Sequence, residues 1–343
     1  MTVAGANAPR ASRRSPLIET FVRPLVVSRE LGPLLGLLAV VAVFQVGSRG
    51  LFLSPLVVAN IVTVAAALAI IGTGVTLLII SGEFDLSVGT MFAFAAVVFG
   101  KLWVDLDVPG PVAFAIAMIA AALIGAVNGI LVLRLKLPSF IATLGTFYAL
   151  AGVNLVITKG VSTQMPESLL RDALGGKVGD SGITMLMVWA FVVVTFFAFV
   201  LAKTRFGNWI FATGGKAGVA RAMGVPDARV RYSLFILSSV LAAFAGCLVF
   251  ARLGTVTGTT GFDYNLLAIV AAVVGGTSLY GATGTVLGTV IGAFLVSSIQ
   301  PGLLVIGAGG TWYQAVIGVV LVVAVLFNIR FERFRASRIG VNR

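Results

Sequence analysis

Two carboxylates, Glu83 and Asp85, stand between two long apolar runs, and no basic residue lies near them in the sequence. A charge inside a bilayer costs roughly 2.5–3.5 kcal/mol or more, so acidic groups at such a position are functional candidates. The same segment also suits a helix N-terminus, where Asp85 or Ser87 would cap the following helix. The capping role and a functional role are compatible. We therefore count Glu83, Asp85 and Ser87 as candidate residues of a substrate pathway.

Other polar or aromatic candidates lie inside the apolar runs themselves. Asn128 sits in a GxxxG pattern, Gly125 to Gly129, which allows a second helix to approach closely. Its amide can form a hydrogen bond across that helix contact, or it can contact a ligand. Thr143, Phe147 and Asn154 fall mostly on one face of the next apolar run. We predict that they line a polar pathway together with Asn128.

Several kinds of chemistry are excluded by the residues that are missing. The chain contains no histidine, which removes imidazole acid–base catalysis and the commonest metal ligand. Its one cysteine, Cys247, lies in an apolar stretch and allows no intramolecular disulfide. No phosphate-binding loop of the pattern GxxxxGK[ST] is present. We predict no catalytic residue, no metal, no cofactor and no ATP hydrolysis by this chain.

The elements that hold these residues are predicted to be membrane-spanning helices. Of the 343 residues, 59% are hydrophobic and only 10% are charged, whereas a soluble domain carries about 25% charged residues. Long apolar runs separated by short polar breaks must be helices, because a bilayer offers no partners for backbone polar groups. The sequence predicts an all-α polytopic membrane protein with about ten transmembrane helices. The predicted spans are 31–48, 55–80, 86–103, 111–133, 139–157, 183–202, 232–250, 265–280, 284–305 and 312–329.

The basic residues predict the orientation of these spans and explain the net charge of +12 without nucleic acid. With the N-terminus in the cytoplasm, 18 of the 24 basic residues fall in cytoplasmic segments, as the positive-inside rule requires. Both termini are then cytoplasmic: an N-terminal segment 1–30 precedes the transmembrane domain 31–329, and a basic tail 330–343 follows it. Two long connections remain, 158–182 outside and 203–231 inside. The inner one carries six basic residues and one acid, Asp227.

A short internal repeat is also visible. The segments 82–90 (GEFDLSVGT) and 281–289 (GATGTVLGT) share two glycines and a threonine at a constant offset of 199 residues. Each follows one apolar run and opens another, which is typical of a parallel repeat.

Longer motifs resemble the permease subunits of the ribose/xylose-type ATP-binding-cassette sugar importers, within the branched-chain amino acid/ribose permease superfamily. They are SGEFDLSVG (81–89), NGILVLRLKLPSFIATLGT (128–146), TRFGNWIFATGGKAGVARAMGV (204–225), AAVVGGTSLYGATGTVLGT (271–289) and WYQAVIGVVLVVAVL (312–326). The chain departs from the family pattern at three places. Family members usually have glycine at the position of Glu83, an acidic residue near Asn265, and an aspartate near Phe327-Asn328.

The resemblance implies a bacterial inner-membrane, multi-pass permease that moves a monosaccharide by alternating access. It implies two cytoplasmic ATP-binding subunits, an extracytoplasmic sugar-binding protein and a second permease copy, identical or closely related. It also implies a coupling helix in the loop 203–231 that docks on the ATPase. We assign Arg205, Lys216, Ala220, Arg221 and Gly224 to it; contact of this basic loop with anionic membrane lipid is the alternative. A stand-alone secondary transporter or channel for a small polar solute is the competing hypothesis.

Overall fold

The computed structural model of the chain describes residues 30–179 and 182–339, and its side chains up to Leu326. Residues 1–29, 180–181 and 340–343 lie outside the described residues. Nearly all of the predicted N-terminal segment 1–30 and the end of the predicted tail 330–343 therefore lie outside the described residues as well.

The described chain is almost entirely helical. Its elements are α1 (Leu31–Gly47), α2 (Pro55–Ile80), α3 (Val88–Gly100, continued by a π-helical turn, Lys101–Asp105), α4 (Gly110–Leu133), α5 (Ser139–Thr158), β1 (Thr163–Gln164), α6 (Leu169–Gly175), α7 (Met185–Lys203), α8 (Arg205–Gly215), α9 (Ala217–Ala222), α10 (Asp227–Leu253), β2 (Thr255–Val256), α11 (Tyr264–Val274), α12 (Val286–Val305), a 3₁₀ turn (Gly310–Trp312) and α13 (Tyr313–Ile339). The two strands pair antiparallel, with Thr163 opposite Val256. This small pair is the exception to the predicted all-α class.

Each predicted span coincides with a helix of the structure. Seven helices among the described residues are long and apolar enough to cross a membrane: α2, α3 with its π turn, α4, α5, α7, α10 and α12. The apolar helices at the other three predicted spans are shorter: Leu31–Gly47, Tyr264–Val274 and Gly310–Leu326. A polytopic helical membrane protein is therefore confirmed. The count of ten crossings and the side on which the termini lie stay predictions.

The predicted span 265–280 is too long at its C-terminal end. The helix α11 stops at Val274, and its 11 residues extend only about 16 Å, about half the thickness of the hydrocarbon core. Gly276 has φ +90°, a conformation that ends a helix and favours glycine. Gly275 lies so close to the backbone of Gly288 that a side chain would not fit. The chain turns there and enters α12 at Val286.

The helices α2 and α10 form the centre of the bundle. The most apolar stretch of α2 is 89% buried within the chain, whereas those of α5 and α7 are only 22% buried. Gly125 and Gly129 of α4 face α10, and a Cβ at Gly125 would lie 2.8 Å from the Cα of Ile236. The GxxxG pattern therefore brings α4 against α10, as close packing of membrane helices requires.

Both long connections contain short helices. The connection 158–182 contains β1 and α6, and the connection 203–231 contains α8, α9 and the first turn of α10. The predicted seventh span, 232–250, began too late, because α10 starts at Asp227. The apolar pattern missed its first turn since that turn carries Asp227, Arg229 and Arg231.

Candidate functional site

The connection between α2 and α3 turns into the interior of the bundle. At the end of α2, Gly82 has φ +91° and its N–H donates to the carbonyl oxygen of Ile79 at 2.9 Å. The N–H of Glu83 donates to the carbonyl oxygen of Leu78 at 3.2 Å. This glycine termination satisfies the last carbonyls of the helix and reverses the chain. Residues 83–87 are thereby placed against α4, α5 and α10.

A chain of hydrogen bonds joins this connection to α4 and α5. The Oδ1 atom of Asp85 accepts from the backbone N–H of Ser87 at 2.9 Å and from the Ser87 hydroxyl at 2.5 Å. The Nδ2 of Asn128 donates to the Ser87 Oγ at 3.1 Å. The Thr146 hydroxyl donates to the Oδ1 of Asn128 at 2.6 Å. Ser87 is the N-cap residue of α3, but its side chain makes no capping bond. The predicted capping role is therefore absent for Ser87.

The first half of α5 binds the backbone of the same connection. The N–H of Phe84 donates to the Ser139 Oγ at 3.1 Å, and the N–H of Leu86 donates to the Thr143 Oγ1 at 3.0 Å. Further along α5, the Nδ2 of Asn154 donates to the carbonyl oxygen of Thr90 at 3.3 Å. These contacts hold residues 84–90 against one face of α5, the face that the sequence predicted to be polar.

We call the group formed by Asp85, Ser87, Asn128, Thr143, Thr146 and Asn154 the polar cluster. Of the seven predicted pathway residues, the structure brings Asp85, Ser87, Asn128, Thr143 and Asn154 together in this cluster, and all five are buried. Phe147 is half-buried beside it, with its ring centroid 5.7 Å from that of Phe262. Glu83 lies at the edge of the cluster. Sequence reasoning missed Thr146, although its position three residues after Thr143 was a usable signal.

Burial dominates the electrostatics of Asp85. It lies in the connection between two spans and is fully enclosed, so desolvation raises the pKa of its carboxyl above the ordinary 3.8. The two hydrogen bonds from Ser87 oppose this increase in pKa. The second carboxylate oxygen, Oδ2, has no hydrogen-bond partner within the described residues. No group of three or more His, Cys, Asp or Glu residues in the described part of the chain can hold a metal ion.

Glu83 has a basic partner that the sequence did not reveal. The Nη1 of Arg231 lies 2.9 Å from the Oε1 of Glu83, although the two residues are 148 positions apart. The Nε of Arg231 lies 3.0 Å from the Oδ1 of Asp227, and its Nη2 donates to the carbonyl oxygen of Thr213 at 3.3 Å. The acidic turn, which has no basic neighbour in the sequence, therefore has one in the fold. The fold places Arg231 of α10 directly against it.

The residues assigned to the coupling segment lie on the helices α8 and α9 or directly beside them: Lys216 separates the two helices and Gly224 follows α9. Arg205, Lys216, Arg221 and Gly224 are exposed, whereas Ala220 is buried against the rest of the chain. The exposed apolar residues of this segment are Val219, 57% exposed, and Met223, 80% exposed. Sequence reasoning missed both. Their spacing of four residues, one helical turn apart in an otherwise basic stretch, was the available signal.

Comparison with known proteins identifies the family. Residues 57–325 match the branched-chain amino acid transport system / permease component family. The chain belongs to this family. Over 333 residues it is 38% identical to a probable ABC transporter permease protein, YphD, of Escherichia coli (strain K12), covering 95% of this chain and 97% of that protein.

Other relatives have more specific descriptions. The permease is 34% identical over 271 residues to the ribose import permease protein RbsC of Escherichia coli (strain K12), covering 78% of this chain and 84% of the relative. It is 30% identical over 317 residues to the autoinducer 2 import system permease protein LsrC of Photorhabdus luminescens, covering 92% of this chain and 94% of the relative. No solved structure matches the chain. The predicted family and the prediction of a multi-pass inner-membrane permease are confirmed.

Proposed function

We propose that this permease is the membrane-spanning subunit of an ATP-binding-cassette importer that translocates a small sugar by alternating access. ATP is hydrolysed on separate cytoplasmic subunits, and this chain itself carries out no catalysis. The observation that carries the proposal is the shape of the segment 203–231: the short helix α9 projects two exposed apolar side chains, Val219 and Met223, from a basic surface. Such a knob suits a groove on a partner protein.

The charges around α9 suit a partner with an acidic rim. Arg205, Lys216 and Arg221 are exposed, and Arg221 is held by a bond of 3.3 Å from its Nε to the carbonyl oxygen of Ala217. Gly224 follows α9 with φ +82° and open space around it, so a bulky partner group fits close to the backbone. We assign Val219, Arg221, Met223 and Gly224 to the contact with the ATP-binding subunit. Arg205 and Lys216 steer its approach.

The substrate proposal rests on the relatives and on the chemistry of the polar cluster. Two relatives are described as permeases for ribose and for autoinducer 2. A sugar needs hydrogen-bonding groups and no counter-charge, and the polar cluster consists mainly of hydroxyls and amides. In this conformation its side chains are bonded to one another or to the backbone, so the proposed pathway runs along the half-buried side of α5 at Phe147. The cluster residues and Glu83 support that surface and enter the pathway when the helices move.

The remaining partners follow from the importer class. The connection 158–182, with α6 and the β1–β2 pair, is the proposed landing surface for an extracytoplasmic sugar-binding protein. A second permease copy, identical or closely related, completes the pathway, and membrane lipid covers the rest. In this arrangement both termini and α9 lie in the cytoplasm, as the distribution of basic residues requires.

Reconstitution tests this function. The permease is placed in proteoliposomes with the ATP-binding subunit and the sugar-binding protein that copurify with it, and uptake of radiolabelled ribose and other monosaccharides is measured. We expect uptake that requires ATP, the ATPase and the binding protein together. Uptake by the permease alone, driven by an ion gradient, would identify a secondary transporter or channel instead.

A further inference from the structure

The C-terminal end of α8 touches both glycine turns of the internal repeat. Gly214 lies so close to the carbonyl oxygen of Ile80 that a Cβ at this position would overlap it, and 2.8 Å would separate that Cβ from the backbone nitrogen of Ala282. The N–H of Ala282 itself donates to the oxygen of Ile80 at 2.8 Å. The ends of α2 and α8 and the turn 275–285 therefore meet at one point.

Both turns have a glycine with a positive φ angle at this point. Gly82 and Gly281, which are equivalent in the repeat, have φ +91° and +81°. A Cβ at Gly281 would lie 2.9 Å from the carbonyl oxygen of Gly214. At position 281, glycine is required both because φ is positive and because the backbone of Gly214 lies too close for a side chain. We call the contact between Ile80, Gly214, Gly281 and Ala282 the junction.

Arg231 of α10 contacts two of these three elements, the connection that follows α2 and the end of α8. Its guanidinium contacts Glu83 after the first turn, the carbonyl oxygen of Thr213 next to the junction, and Asp227 on its own helix. The side chains of Arg231 and Glu83 are only 19% and 12% exposed, so water screens the pair weakly. A planar guanidinium can hold several acceptors at fixed angles, which a lysine cannot do.

We propose that the Arg231–Glu83 pair and the junction form a clamp that makes α8, the segment 81–87 and the turn 275–285 move as one body. This inference rests on the proposed function, because α9 follows α8 directly and is the proposed contact with the ATP-binding subunit. A displacement of α9 is then passed through Thr213 and Arg231 to Glu83. From Glu83 it reaches Asp85 and Ser87 in the polar cluster. Glu83 and Arg231 are thus positioning residues for coupling.

A double-mutant cycle tests the ion pair. The variants Glu83→Gln, Arg231→Gln and the double variant are reconstituted with the ATPase, and the number of ATP molecules hydrolysed per sugar transported is measured. We expect each single variant to raise this ratio about 5-fold or more, a typical size for coupling between sites. The double variant should be no worse than either single variant, because both remove one interaction.

Two matched controls accompany the cycle. Arg229→Gln changes an exposed basic residue two positions from Arg231 on α10. Lys101→Gln with Asp105→Asn removes another ion pair of the described chain, of 2.7 Å, near the far end of α3. Both should leave the ratio unchanged. If Glu83→Gln and Arg231→Gln reduce the amount of folded protein but leave the ratio unchanged, the pair is only structural and the clamp is refuted.

A disulfide tests whether the junction moves as one body. A Cβ built on Gly215 lies 3.7 Å from the Cβ of Ala282, which matches the separation in a disulfide. In a Cys247→Ala background, Gly215→Cys with Ala282→Cys should form a bond on oxidation without loss of uptake. In the Glu83→Gln variant, where the number of ATP molecules hydrolysed per sugar is expected to be raised, the same disulfide should lower that number. Loss of uptake on oxidation that reductant restores would mean that the junction opens in each cycle, and would overturn the proposal.

Failure of the clamp and failure of the proposed function are distinguishable. If wild-type uptake needs neither ATP nor the ATPase, the proposed function is wrong. If wild-type uptake is driven by ATP but the ratio is the same in Glu83→Gln, Arg231→Gln and the Arg229→Gln control, only the clamp is wrong.

Discussion

The side-chain amide of Asn128 donates a hydrogen bond of 3.1 Å to the hydroxyl of Ser87, and it accepts one from Thr146. This single side chain therefore joins α4 to the connection 81–87 and to α5. Asn128 and Ser87 are fully buried and Thr146 is half-buried, so neither lipid nor water can readily replace the bond between Asn128 and Ser87. The position of the acidic turn thus depends on a residue 41 positions away in the sequence.

Replacing Asn128 by leucine should destabilise the permease by about 1–2 kcal/mol, because the buried hydroxyl of Ser87 and the half-buried hydroxyl of Thr146 each lose a partner. The loss is measured as a lower temperature of thermal unfolding in detergent. Asn60→Leu is the matched control, since Asn60 is exposed on α2. Equal unfolding temperatures for the two variants would contradict the proposed bridging role.

Asp85 should make stability depend on pH. Burial raises the pKa of its carboxyl in the folded state, so the folded protein holds the proton more tightly than the unfolded chain. The free energy of unfolding should therefore fall as the pH rises above the ordinary carboxyl pKa of 3.8. Asp85→Asn should flatten this slope in unfolding measurements across pH. The exposed Asp105, changed to asparagine, is the control, and an identical slope for the two variants would argue against the prediction.

Gly125→Ala should separate α4 from α10. The added Cβ would lie 2.8 Å from both the Cα of Ile236 and the carbonyl oxygen of Phe235, and backbone atoms cannot move aside without shifting a helix. Overpacking of this kind costs about 1–3 kcal/mol. Gly145→Ala on α5 is matched to it, because nothing lies within 4 Å of the added carbon. Comparable yields of folded protein after membrane extraction would show that this helix contact tolerates an extra methyl group.

Arg221→Glu combined with Gly224→Trp should uncouple ATP hydrolysis from uptake while membrane insertion stays normal. The first change reverses a charge on α9, and the second fills the open space behind it. Met223→Asp should act in the same direction, because it places a charge where an exposed apolar side chain is proposed to enter a groove. Uptake and ATPase activity are measured together in proteoliposomes. Wild-type uptake by the double variant would exclude α9 as the coupling helix.

The helices themselves were predictable because membrane helices are specified locally. Apolar runs of sufficient length must form helices in a bilayer, so the runs predicted the positions of α2 to α5, α7, α10 and α12. The errors fell at helix ends. The helix α11 stops at the Gly275-Gly276 pair, and hydropathy does not report the backbone conformation of a glycine. The helix α10 begins in a charged turn, and hydropathy does not show that a charged residue has a partner within the fold.

The acidic turn shows what the sequence alone could and could not predict. The sequence identified Glu83, Asp85 and Ser87 as unusual, because charged and polar residues between long apolar runs are rare in a chain of this composition. It could not identify Arg231, because 148 residues separate it from Glu83 and only packing of α10 against α2 closes that gap. Asp85 is bonded locally by Ser87, but the tertiary structure decided that both carboxylates are buried and that Glu83 has a basic partner, because only the distant helix α10 supplies Arg231.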